Sequence, residues 1–200
     1  PNGEIAAALS VIRDISDRKN AELALQRQAQ QKEVLNRVIQ TIRNSLDLNA
    51  IFQTATAEIA QLFSAAGSYI VRYLSDCQVW RIVAAYHQDP QAPDTIGFEI
   101  PDETNPFANK LKQLEIVQVS DTNRIEDELN REIAKTFPGS WLMIPLTIGG
   151  AVWGCLCLYR DRADSANVES QIELARAVGD QLAIAIQQAN LYQQLQQELS

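Results

Sequence analysis

Two hundred residues, 46% hydrophobic and 21% charged, make an ordinary globular composition, enough for one domain and part of a second. A net charge of -8 with no Lys/Arg cluster excludes a nucleic-acid surface. No apolar run approaches the roughly 20 residues that would insert in a bilayer, and there is no basic-then-apolar leader.

The three cysteines are odd in number, and Cys155 and Cys157 on one strand have Cα atoms roughly 6.6–7 Å apart, at or past the limit for a bridge. A reducing cytoplasm is the expected compartment.

In chain order, a strand-like run over residues 5–15 ends at Asp14-Ile15-Ser16 and passes straight into a helical pattern. Ser16 is a good N-cap, and Asp17 suits the positive end of the helix dipole. Residues 17–46 contain no Gly or Pro and are rich in strong helix formers. Leu35, Val38 and Ile42 are spaced three and four apart, an apolar stripe that needs a partner in water.

The next helix is expected over residues 47–63, capped by Asp47 or Asn49, with Ile51, Phe52, Ala55, Ile59, Leu62 and Phe63 facing a core. "SYIVRYL" and "QVWRIVAAY" read as strands around a turn at Ser75-Asp76. Residues 87–101 hold three prolines and read as a long loop, with a short strand near Phe98.

Asn105-Pro106 opens a short helix through Leu114. "IVQVS" is a brief strand, and "DTNRIEDELNREIAKTF" is expected to be one helix with Ile125, Leu129, Ile133 and Phe137 in line, stopped by Pro138-Gly139. In "WLMIPLTIGGAVWGCLCLY" two strands flank Gly149-Gly150, a pair able to take the positive φ angles of a hairpin turn.

From about residue 165 a final helix carries Val178, Leu182, Ala185, Ala189 and Tyr192 in one stripe, with Leu191, Leu195 and Leu199 extending a seam to the end. Gly179 within it is expected to mark close approach to a sheet.

This order of elements resembles a GAF domain, a small-molecule and bilin-binding sensor module. "SLDLNAIFQTATAEIAQLFSAAGSYIVRY" is similar to the usual opening of the family, "IPLTIGGAVWGCLCLY" to its closing hairpin, and "ELARAVGDQLAIAIQQANLYQQL" to its exit helix in cyanobacterial sensor kinases. The resemblance implies an α+β, profilin-like fold: a central antiparallel sheet with long helices on one face and short helices and loops on the other. "GEIAAALSVIRDISDRKNAELAL" resembles the last strand and exit motif of a PAS domain. Residues 1–16 are thus expected to be a PAS remnant, 17–46 a connector helix, and 47–200 the GAF domain with its exit helix.

The implied function is a non-catalytic sensory or relay domain of a signalling protein, a histidine kinase being the expected parent. Two copies are expected to pair in parallel along a seam of Leu35, Val38, Ile42, Val178, Leu182, Ala185, Ala189 and Tyr192, passing a signal to a downstream effector. The alternative is a non-covalent small-molecule sensor, for a tetrapyrrole or another ligand. Its pocket would draw on Trp80, Tyr86, His87, Trp141, Met143 and Tyr159.

Alternation groups Trp80 with Ile82 and Tyr86, and Trp153 with Cys155, Cys157 and Tyr159, but leaves open which face lines a pocket. Bilin-carrying relatives attach the pigment through a Cys on the helix before the closing hairpin. "NRIEDELNREIAKTF" has neither Cys nor His, so that attachment is excluded and no cofactor is expected.

The cyclic-nucleotide signature is met only by Asn109-Lys110 and fails after Phe137. A cysteine-dependent methionine sulfoxide reductase is the remaining enzymatic reading. Against it, Cys155 and Cys157 sit in an apolar run as core residues, and Cys77 reads as an incidental surface residue. One histidine without clustered ligands makes no metal site.

Overall fold

The computed structural model describes residues 18, 19, 21, 22, 25, 26, 29, 32, 33, 35–42, 45–162 and 168–199. The expected PAS remnant, residues 1–16, lies outside them. The chain divides between Arg37 and Val38 into two units. In the first, every described residue is helical, and Arg18 and Glu22 form an exposed ion pair one turn apart at 3.5 Å. Leu35 there is half-buried.

In the second unit, residues 38–42 are helical and 45–47 are not. Helix α1 (Leu48–Leu62) starts where the Asp47 carboxylate accepts the Asn49 N–H at 2.8 Å. It buries Ile51, Phe52, Ala55 and Ile59 along one stripe, and the buried Thr56 hydroxyl is satisfied by donating to the Phe52 carbonyl at 2.9 Å.

Strands β1 (Gly67–Leu74), β2 (Val79–His87), β3 (Glu99–Pro101), β4 (Val117–Val119), β5 (Ser140–Ile148) and β6 (Ala151–Arg160) form one sheet in the order β3-β2-β1-β6-β5-β4. Every neighbouring pair is antiparallel. Both edges are strands of three residues, too short to template further pairing. Pro145 lies on β5 beyond the reach of β4, where that strand is itself an edge and a missing N–H is tolerated. Gly149 and Gly150, at φ 62° and 81°, make the β5–β6 hairpin turn.

Helix α2 (Pro106–Lys112) is capped by Asn105, whose carbonyl oxygen accepts the Phe107 and Ala108 N–H groups at 3.0 and 3.3 Å. The stretch 121–137 is not the single helix its stripe suggests. Asp121 caps a 3₁₀ turn (Thr122–Arg124), and Asp127 caps a separate helix α3 (Glu128–Thr136), accepting the Asn130 N–H at 2.8 Å. Two local caps interrupt the continuous pattern. The exit helix α4 spans Val168–Glu198.

Long helices α1 and α4 cover one sheet face; α2 and α3 lie over the other. Helix α4 runs against β5, where a Cβ on Gly179 would sit 3.1 Å from Ile144 Cγ2, so this glycine does mark the close approach expected of it. Two bulges then correct the faces read from alternation. One, between Ile70 and Val71 of β1 and their partners on β2, leaves Trp80 and Ile82 opposite Tyr73 and Val71 but puts Tyr86 opposite Ser68, on the helical face. The other, at Leu146/Thr147, lets Trp153 join the helical layer, 6.0 Å from the Phe52 ring and under the Arg72 guanidinium. One extra residue reverses every side chain after it.

The expected seam between subunits also needs correction. Val38, Ile42, Val178, Leu182, Ala185 and Ala189 are each at most 2% exposed within the single chain. They are core within the single chain, and the α4 residues among them belong to a helix that runs against β5. Tyr192, by contrast, is exposed, as are Ile184, Leu191, Leu195 and Leu199.

At the centre of the sheet a Cβ on Gly154 would lie 2.1 Å from the Val71 carbonyl oxygen. Gly154→Ala is therefore expected to force β1 and β6 apart and destabilise by about 1–3 kcal/mol, read as a lower denaturation midpoint at unchanged slope.

Candidate functional site

The face beneath α2 and α3 draws side chains from all six strands. Directly opposed pairs share a face, so Tyr69 sits with Cys157 and Cys157 with Met143, in a row that ends at Val117. One row along, Tyr159 stands opposite Trp141. Val71 and Cys155 form the row on the other side. Phe107, Ala108 and Leu111 of α2, and Ile133 of α3 with Phe137 at its end, close the roof.

Two apolar cavities remain beneath it. The larger, about 60 Å³, is lined by aromatic Tyr69, Phe137, Trp141 and Tyr159 with aliphatic and sulphur-bearing neighbours. The smaller, about 50 Å³, reaches Trp80, Phe107 and Cys155. Val71, Ile100, Ile133, Trp141, Met143 and Cys157 line both. The aromatic rings meet edge-on: Tyr69 with Phe137 at 5.4 Å and Phe137 with Tyr159 at 5.9 Å.

Of the residues singled out from sequence, Trp141, Met143 and Tyr159 line the larger cavity, and Trp80, Trp141 and Met143 the smaller. Tyr86 does not belong, for the reason of register given above. His87 lines neither; it stands behind Tyr69, its Nδ1 3.4 Å from the tyrosine hydroxyl and its Nε2 3.3 Å from the buried Thr95 hydroxyl. It ties the long loop to the pocket wall. Burial lowers its pKa, against the opposing pull of Asp94 and Asp89. Burial, with Tyr159 and Cys157 nearby, pushes the Tyr69 phenol up.

The sulphur pair is now explicit. Cys155 and Cys157 Sγ are 3.5 Å apart, with Cys155 buried. The hydrogen bond with Cys157, followed by burial, raises the Cys155 thiol well above its usual range and keeps it protonated and a poor nucleophile. Cys77 is exposed, as are Asn109 and Lys110 of the partial nucleotide signature. Among the described residues no group of three or more His, Cys, Asp or Glu is placed to hold a metal.

Beside the smaller cavity lies a polar knot that the sequence reading missed. Asp102, 6% exposed, accepts the Trp80 indole N–H on Oδ1 at 2.9 Å, and on Oδ2 the Lys112 ammonium at 2.7 Å and the Tyr73 hydroxyl at 3.2 Å. Tyr73 stacks on Trp80 at 4.9 Å, with Lys112 5.9 Å from the centre of its ring. The knot joins β1, β2 and α2. The signal available was Trp80 itself, because a buried indole N–H requires an acceptor.

The comparisons with known proteins agree with this architecture. The sequence profile of the GAF domain family matches residues 47–186. The chain belongs to the GAF domain family. It is 24% identical over 197 residues to the circadian input-output histidine kinase CikA of Synechococcus elongatus, covering 88% of this chain and 26% of that protein, so it spans about a quarter of the relative's length.

In fold it is similar to the phycoerythrobilin-bound GAF domain of a cyanobacterial phytochrome (TM-score 0.69, 23% identity, 82% of this chain and 97% of the other). It is also similar to the GAF domain of an Acinetobacter phosphoenolpyruvate-protein phosphotransferase (TM-score 0.65, 18% identity, 81% and 95%). Among the described residues no helix is long and apolar enough to cross a membrane.

Burial pushes the Asp102 carboxyl up, but bonds from Lys112, Trp80 and Tyr73 outweigh it and hold the group below its ordinary value. A carboxylate with a depressed folded pKa adds stability above its unfolded pKa and loses it as pH falls through the folded one. Asp102→Asn is thus expected to cost about 1–3 kcal/mol near neutrality. It should also flatten the loss of stability on acidification below roughly pH 4, measured by denaturant titration across pH.

Proposed function

We propose that this chain is a non-catalytic sensory and relay module of a larger signalling protein, with a histidine kinase as parent. Its exit helix pairs in parallel with that of a second copy and hands a conformational change to a downstream effector. The kinase relative supports the parentage. The observation that carries the pairing is the exposed apolar face of α4, Ile184, Leu191 and Leu195, continued by Leu199 in the turn that follows it. At 3.6 residues per turn these four fall within roughly 80° of the helix circumference and along about 22 Å of its length. Leucines so spaced on a helix beyond its own domain are the pattern of a short two-stranded seam. This seam is distinct from the buried stripe that faces β5.

Ligand sensing is the second reading. It is favoured by the paired aromatic cavities and by the bilin bound in a neighbour of the same fold. The two readings are compatible, since a guest under α3 would press on strands whose opposite face carries α4.

Leu191→Glu or Leu195→Glu is expected to convert a dimer to a monomer by light scattering while leaving the melting temperature of the domain unchanged. Leu182→Glu is expected to do the reverse, unfolding the domain at lower temperature because it buries an unpaired charge, a loss of several kcal/mol. An unchanged dimer in both exposed variants would reject the pairing.

A further inference from the structure

Resting on the ligand-sensing reading, we infer that the space between the sheet and helices α2 and α3 is a site for a small uncharged guest about the size of one aromatic ring, and that it does not take an open-chain tetrapyrrole.

Size is the first ground. The two cavities, about 60 and 50 Å³, together fall somewhat short of the ~150 Å³ apolar cavity that accepts benzene. They are several-fold smaller than the roughly 300–1,000 Å³ of pockets for larger ligands. They are separated only by side chains common to both, and among these Met143 is the adaptable one. It is half-buried, with three rotatable bonds and a polarisable thioether that repacks at little cost. A change of Met143 rotamer would join the cavities into a slot bordered by Trp141 and Tyr69, a shape suited to a flat ring. A tetrapyrrole would need the whole roof of α3 lifted.

Polarity is the second ground. No Lys, Arg, His, Asp or Glu lines either cavity. Several of the polar groups that do are engaged with protein partners, while the Tyr159 hydroxyl is a neutral group that also borders the larger cavity. The Trp141 indole N–H donates to the Phe137 carbonyl at 2.8 Å, and the Tyr69 hydroxyl is paired with His87. Asn130 Nδ2 donates to Asn105 Oδ1 at 3.0 Å, an oxygen that also caps α2. The ammonium of Lys112, on α2, is held by Asp102. A carboxylate entering here would give up hydration and meet no cationic side chain in return, a large penalty. The carboxylates and ring nitrogens of a bilin therefore do not fit this lining. Its aromatic edges suit a neutral ring, which prefers edge-to-face contact.

The test uses toluene and benzoate, nearly equal in size and opposite in charge, titrated into the purified chain and followed by NMR at the Met143 methyl and the Trp141 indole. Saturable shifts with toluene and none with benzoate at the same concentration are expected. Ile133→Phe, which grows a ring from α3 into both cavities, should weaken toluene by roughly tenfold or more. Because that variant could destabilise the fold, Met143→Leu is measured in parallel. It keeps the volume, loses the adaptable thioether, and should also weaken toluene.

Equal shifts with benzoate, or toluene binding untouched by both variants, would overturn the assignment. A separate arm produces the chain in biliverdin-making cells. Coloured protein with one pigment per chain would overturn the small-ring assignment while leaving the sensing reading standing. Absence of binding in every arm would overturn both.

Discussion

The antiparallel pairing of β1 with β6 is the constraint on which the rest of the structure depends. It joins the opening hairpin to the closing one and brings segments more than 80 residues apart into register, from Gly67 against Tyr159 to Arg72 against Gly154. Nothing larger than glycine fits at position 154, where the backbone of β1 passes within contact. Once these two strands are locked, side-chain direction is settled along the neighbouring strands as far as each bulge. Ile70, Leu156 and Ile144 go to the long helices, while Tyr69, Cys157 and Met143 go to the pocket. The site is a by-product of this parity, since no loop has to place its central residues.

Parity also explains what could and could not be read from the chain alone. The elements were legible because each is marked locally: a cap at Asp47, Pro after Asn105, two glycines between β5 and β6, and helical periodicity in α1 and α4. The core of the pocket was legible in part, because Trp141, Met143 and Tyr159 lie on uninterrupted runs of alternation. Tyr86 was misread because the bulge between it and Ile82 has no signature in residue type; "RIVAAY" alternates as well with one register as with the other. The helix over 121–137 was overextended because Asp127 counts as an ordinary helical residue until its carboxylate is seen to accept the Asn130 N–H.

The error over the seam has a different origin. An amphipathic stripe says that a helix face is buried, never by what. Val178 and Leu182 recur at the spacing of a coiled coil, but in this fold Gly179 beside them lies against Ile144 and Leu146 of β5. Since Gly179 faces Ile144 and Leu146, Val178 and Leu182 must share that face, and only residues rotated away from it, Ile184 and Leu191 among them, are left for a partner.

That geometry gives the proposed relay a physical route. Met143 and Ile144 are adjacent on β5 and point to opposite faces, one into the cavities and the other onto Gly179 of the exit helix. A close-packed interior transmits displacement because it cannot compress, and with no Cβ at residue 179 the methyl of Ile144 bears on the helix with little intervening side chain to absorb motion. A guest that moves Met143 would therefore tilt or slide α4 instead of merely deforming a loop. The polar knot at Asp102 works towards the same end. It ties α2 to β1 and β2, and on the proposed relay a displacement would then fall on α3 and β5. A pocket with two compliant walls would dissipate what a pocket with one can pass on.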